Sequence, residues 1–186
     1  EVLEYLKPAW NRAAAEPVED KIQIVREEFP DFFVGQIFPW KNLLSAGVDH
    51  TAFCLSFLKK PGLFFRARKG KEEEVRLKLL GKKLPFTEWE PGGLLLFKAF
   101  SVPQTTRLSE VLVLNREAVI QDLSSQKTAG LMTLPDFDPE TILRAWDCCA
   151  ASGGKSILLA DLYPTLDLTV SDIRRSVSEN LRIRFA

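Results

Sequence analysis

The sequence predicts an α/β protein with an α+β N-terminal part, and three observations carry that prediction. Residues 116–186 alternate strand-like apolar runs with helical ones. Such alternation means parallel strands joined by crossover helices. Residues 61–115 show a strand, a charged helix and two further strands, a small β-α-β-β pattern. Residues 1–60 read as helical, punctuated by Phe29-Pro30, Phe38-Pro39 and Gly47. The expected divisions are therefore a helical N-terminal region at 1–60, an α+β unit at 61–115 and an α/β region at 116–186.

In the first region, Val18, Ile22 and Val25 recur at helical spacing after Pro17, a residue suited to a first turn. Phe32, Phe33, Phe38, Trp40, Phe53 and Phe57 are expected to form core. In the second, Gly62 to Arg66 reads as a strand and Glu72 to Leu80 as a helix. That helix has acids early and basic residues late, as its dipole prefers, and Gly81 fits its end. Leu84 to Trp89 and Leu94 to Phe97 read as strands around the turn Pro91-Gly92-Gly93. In the third, Ile120 to Met132 reads as helical, and Pro135 and Pro139 mark a loop. Leu143 to Cys148 and Leu166 to Ser171 read as strands. Lys155 to Leu162 and Ser176 to Phe185 read as helices, the latter with Val177, Leu181 and Phe185 on one face.

Composition narrows the classes. Hydrophobic residues make up 46% and charged residues 27%, so the chain can build an ordinary globular core. The formal net charge is zero, so any preference for nucleic acid must come from a local patch. Three cysteines, two of them adjacent, make no disulfide framework and suggest a reducing compartment. No apolar run approaches the ~20 residues of a membrane span, and no N-terminal export signal is visible. The expected location is the cytoplasm, with no membrane and no metal, since one histidine and no C-x-x-C leave no ligand cluster. His50 and Cys54 are expected in structural roles.

The most informative stretch is 145-AWDCCAASGGKSILLADL-162. Gly154, Lys155 and Ser156 match the end of a triphosphate-binding loop, G-x-x-x-x-G-K-[ST]. The opening glycine of that pattern falls at Cys149, which obstructs a phosphate-wrapping turn. The alternative is a nucleoside cofactor at the edge of a parallel sheet. Small residues after the first strand let the backbone approach a ligand, and an acid after the second strand bonds the ribose. Asp172, directly after the second strand, stands where that acid belongs. The plain reading is a tight turn at Gly153-Gly154, with Asp172 capping a helix.

The run 147-DCCAASGGK-155 resembles the D-x-C-A-A-P-G-G-K motif of the Nop/Sun family of S-adenosylmethionine-dependent RNA cytosine-C5 methyltransferases. Upstream, 121-QDLSSQ-126 resembles the family's Q-D-x-x-S-Q segment. The unit at 61–115 is similar in position and pattern to the family's RNA-recognition-motif-like extension. The resemblance implies that residues 116–186 begin a Rossmann-like class I methyltransferase sheet. It implies that Cys149, Ala150, Ala151, Ser152, Gly153, Gly154 and Lys155 line the methionine and ribose side of S-adenosyl-L-methionine, and that Asp172 binds the ribose diol. Ser152 departs from the family's proline, which leaves the loop freer to move. It implies ribosomal RNA as substrate, and an attacking and a releasing cysteine after later strands, one following proline and one following threonine. Neither occurs before Ala186, so catalytic residues are expected beyond it and this chain is expected to be catalytically incomplete. A non-catalytic RNA-binding module with a vestigial loop is the competing class.

Lys59, Lys60, Arg66, Arg68, Lys69, Lys71, Arg76, Lys78, Lys82 and Lys83 crowd one stretch, against Glu72, Glu73 and Glu74. Arg66, Arg68 and Lys69 are the expected RNA contacts, beside strand aromatics of which alternation leaves one outside. The strands 143–148 and 166–171 carry apolar side chains that expect neighbours, so self-association through an open sheet edge is also expected.

Overall fold

A computed structural model describes residues 2–59, 61–136, 138 and 140–185. Lys60, Pro139 and Ala186, used above, lie outside the described residues. The chain forms two compact units, residues 1–61 and 62–186.

Among the described residues the first unit contains the α-helices α1 (Val2–Leu6), α2 (Pro8–Arg12), α3 (Val18–Glu28) and α4 (His50–Ser56). Val18 and Ile22 bury the inner face of α3, as their spacing predicts. Asp49 caps α4 by accepting from the Ala52 amide at 2.6 Å. His50 opens α4, with Nε2 2.7 Å from the Phe38 carbonyl and 3.5 Å from Cys54 Sγ, so both residues have structural work. The aromatic core forms only in part. Phe38 and Phe53 pack edge to face, yet Phe33, Trp40 and Phe57 remain 56%, 58% and 59% exposed. Between α3 and α4 the chain makes short 3₁₀ turns rather than long helix, so no continuous face gathers these rings.

Among the described residues the second unit holds two sheets. β1 (Leu63–Ala67), α5 (Glu72–Gly81), β2 (Thr87–Trp89), β3 (Ala99–Val102) and β4 (Ala118–Ile120) build an antiparallel sheet of order β2-β3-β1-β4. Phe65 pairs with Phe100 across β1 and β3, their rings stacked at 5.4 Å. With Ala67, Val75, Leu79 and Val102 they form the core under α5. The helix α5 ends in Gly81 and Lys82, and Lys83, not Gly81, takes the left-handed conformation at φ +53°.

Two expected elements are corrected. Leu94 to Phe97 is no strand: Gly92 and Leu95 close a tight turn with reciprocal backbone bonds of 2.8 and 3.0 Å. Leu95 and Phe97 are buried by packing from the loop, and the strand begins later, at Ala99. Ile120 to Met132 is not one helix. Residues 118–120 form β4, with Ile120 opposite Phe65, before the short α6 (Leu123–Lys127) and a 3₁₀ turn at Thr128–Leu131. The antiparallel sheet therefore runs past the expected boundary at residue 115. Gly130 is required by close approach, since a Cβ there would lie 2.6 Å from Leu94 Cα.

β5 (Leu143–Asp147), α7 (Gly154–Leu162), β6 (Leu166–Val170) and α8 (Arg175–Phe185) follow close to the predicted positions. β5 and β6 pair in parallel from Leu143 with Leu166 to Asp147 with Val170. One sheet face carries half-buried Leu143, Ala145, Leu166, Leu168 and Val170; the other leaves Arg144, Trp146, Asp167 and Thr169 exposed. Leu158 of α7 packs on Phe97 and Ala129, joining the helix to the loops of the antiparallel part.

Candidate functional site

The loop 148–153 leaves the carboxyl end of β5 and turns into α7. The pairing of the strands continues into it. Ser171 donates its amide to the Asp147 carbonyl at 2.9 Å, and Ala150 donates to the Ser171 carbonyl at 3.1 Å. Ala151 and Gly153 adopt φ of +45° and +78°. A Cβ on Gly153 would stand 2.0 Å from Leu181 Cδ1, so glycine answers both the conformation and the close approach of α8.

Two carboxylates brace the loop. Asp147 accepts the Ser156 hydroxyl at 2.6 Å and the Cys149 amide at 3.2 Å. Asp172 accepts the Ala151 amide at 2.9 Å from across the strand pair. Asp172 Oδ1 also accepts the Arg174 amide and Nε, both at 3.0 Å, and Oδ2 accepts Arg174 Nη2 at 3.3 Å. The Arg174 side chain, then its amide and that of Ala151, hold the Asp172 carboxyl well below the usual carboxylate range. Cys148 and Cys149 are both exposed, and the adjacent Cys148 thiol pushes Cys149 up.

A cavity of about 270 Å³ opens beside the loop, lined by Cys149, Ala150, Ala151, Ser152, Gly154 and Lys155. The structure thus brings six of the eight expected loop and acid residues to one cavity. It sets Gly153 under α8 and Asp172 on the groove beside β6 and α8 instead. Gln121, Asp122, Ser125 and Asp147 also line the cavity. The segment 121–126 was legible as a motif, but its place opposite the loop was not. Ser156 is buried, and its hydroxyl is given to Asp147 rather than offered to a phosphate-bound metal.

Part of the basic stretch is paired with acids, some of them from elsewhere in the fold. Arg76 meets Glu88, and Lys78 meets Glu74 and Glu117. Arg66 is corrected as an RNA contact: it is fully buried. Its Nη1 lies 2.5 Å from Asp161 Oδ2, its Nε donates to Gln121 at 3.1 Å, and the guanidinium sits over the Phe97 ring at 5.1 Å. Burial lowers its pKa, with Asp161 opposing. Arg68 also binds Asp161, at 2.7 Å, and keeps partial exposure. Lys69 is exposed. Phe65 is buried, while Phe64 is half-buried against Trp89 at 5.3 Å.

Among the described residues there is no group of three or more potential metal ligands, and no helix is long and apolar enough to cross a membrane.

No family model matches the chain. Over 57 residues, 31% of the chain, it is 42% identical to the ribosomal RNA small subunit methyltransferase B of Xylella fastidiosa strain 9a5c, and equally to that of strain Temecula1 / ATCC 700964. The chain spans about 12% of the length of these two curated relatives in that match. The fold is similar to the solved structure of PH0851, with a TM-score of 0.58 at 20% identity, over 77% of this chain and 31% of that one. The structural likeness supports an α/β fold.

Proposed function

We propose that the chain carries the cofactor-binding part of an S-adenosylmethionine-dependent RNA cytosine-C5 methyltransferase acting on ribosomal RNA. The observation that supports this reading is the small-residue loop 148–153, tied by Ala151 to Asp172 at the carboxyl end of a parallel strand pair. S-adenosylmethionine would supply an electrophilic methyl group on a sulfonium centre. Asp147 and Asp122 line the cavity with negative charge suited to the cofactor's cationic groups, and Lys155 with positive charge suited to its carboxylate.

Asp172 would take the ribose hydroxyls. All four of its lone-pair positions are engaged, three of them by Arg174. The Arg174 side chain is 61% exposed, so the ribose can replace it at small cost and water then solvates the freed guanidinium. The buried Ser156 disfavours a triphosphate occupant.

Calorimetry with S-adenosylmethionine and, separately, ATP tests the reading; saturable binding of the former alone is expected. Asp172→Ala should weaken cofactor binding roughly ten- to hundredfold, the cost of a charged acceptor at about 1.5–3 kcal/mol. Cys148→Ala, on an exposed side chain outside the cavity lining, should have a smaller effect. Equal losses from the two substitutions, or preference for ATP, would overturn the assignment.

A further inference from the structure

A second, larger cleft of about 720 Å³ lies between the antiparallel sheet and the helices α7 and α8. Its lining holds five cations, Arg68, Lys69, Lys71, Arg116 and Arg184, against one carboxylate, Asp161, in a chain whose net charge is zero. That carboxylate is shared by Arg66 and Arg68, and Lys71 is paired with Glu74. Three cations are left without an acid partner among the described residues. Lys69 and Arg116 are exposed on one wall. On the other, Arg184 is half-buried and donates only to neutral oxygens: Asn115 Oδ1 at 3.0 Å and the Ser152 carbonyl. Burial lowers the Arg184 pKa with no carboxylate to oppose it. A partly desolvated guanidinium without a counter-ion is costly, and an anion entering the cleft would relieve that cost.

We propose that this cleft binds the sugar-phosphate backbone of single-stranded RNA, with Lys69, Arg116 and Arg184 meeting successive phosphates. The inference rests on the RNA reading above and gives it a place. Two features favour RNA over an acidic peptide. Ile183 and Phe185, 74% and 46% exposed, line the same cleft and offer apolar surface on which bases can stack. The Arg184 bond to the Ser152 carbonyl joins the cleft to the candidate cofactor loop, so a strand held there lies beside that loop.

The test is fluorescence anisotropy of a short, unstructured, labelled RNA over a salt series. The intact chain should bind it. Lys69→Glu with Arg116→Glu should lower affinity on the order of tenfold or more and flatten the log–log salt slope by about 0.7 per lost contact. Lys41→Glu with Lys82→Glu, the same charge change at exposed positions outside the cleft, should leave the slope unchanged. The neutral pair Lys69→Gln with Arg116→Gln provides the same comparison with less perturbation, and thermal unfolding checks that each variant is folded. RNA binding with a slope unaffected by the cleft substitutions would overturn the cleft and leave the RNA reading intact. No RNA binding by the intact chain would overturn both. Displacement of RNA by polyglutamate at equal charge concentration would assign the cleft to acidic peptide instead.

Discussion

At the scale of single residues, Asp172 and Gly153 carry the sharpest consequences. The Asp172 carboxyl is depressed, so its contribution to stability is complete above its ordinary pKa. That contribution is lost only as pH falls through the lowered value. Carboxyl ¹³C shifts should show Asp172 still ionised at acidities where exposed aspartates are protonated, and Arg174→Ala should move its titration upward. On the proposed assignment of Asp172 to the ribose, Arg174 competes for the same carboxylate oxygens, so Arg174→Ala should also raise cofactor affinity. A loss of affinity would make Arg174 a ligand contact rather than a competitor. Gly153→Ala forces a Cβ into Leu181 at a left-handed position and should cost roughly 1–3 kcal/mol of stability. Gly154→Ala, where the nearest outside atom would be 3.6 Å away at an ordinary helical conformation, should cost far less in the same denaturant titration.

At the scale of elements, the decisive contact is α7 against β1. Asp161 stands between two guanidiniums, and Gln121 links Arg66 to the edge of the loop cavity. Removing one member of such a buried group leaves charge without compensation. Asp161→Ala should therefore destabilise the fold by about 3–5 kcal/mol in urea titration. The apolar double replacement Arg66→Met with Asp161→Leu should recover much of that loss, because no buried charge is left by the pair itself. A cost below about 1 kcal/mol for Asp161→Ala would show that the ion pair does not anchor the helix.

At the scale of the whole molecule, the parallel strand pair is the part with open edges. β5 and β6 pair only with each other among the described residues, so each has an outer edge without a strand. Trp146 is 70% exposed on the open face, and Ile142 and Ile173 stand 68% and 101% exposed at the strand ends. Exposed apolar surface beside unpaired edges favours association. Size-exclusion chromatography with light scattering should show self-association of the chain, weakened by Trp146→Glu. A stable monomer with strong amide-exchange protection in β5 would refute this.

The sequence by itself determined the elements whose signals are local. The strand at 63–67, the helix with acids first at 72–81, and the β-α-β-α run from 143 to 185 all appear where periodicity and glycines placed them. The small-residue loop was legible for the same reason, since its left-handed glycine and its acid partner lie within one strand-helix-strand unit. Tertiary structure decided what depends on residues far apart in the chain. Strand alternation could not say that Asp161, 95 residues away, would cover Arg66 and remove it from the surface. Composition could not say that Glu88 and Glu117 would pair with Arg76 and Lys78 of α5, or that Arg116 and Arg184 would form a positive cleft with Lys69. The apolar run 94–97 became a loop that buries Leu95 and Phe97, and 118–120 became a strand, because packing on α7 and pairing with β1 outweighed local pattern. Burial and charge compensation are properties of the whole packed chain, and short-range pattern records only the faces that must be covered, not which residues cover them.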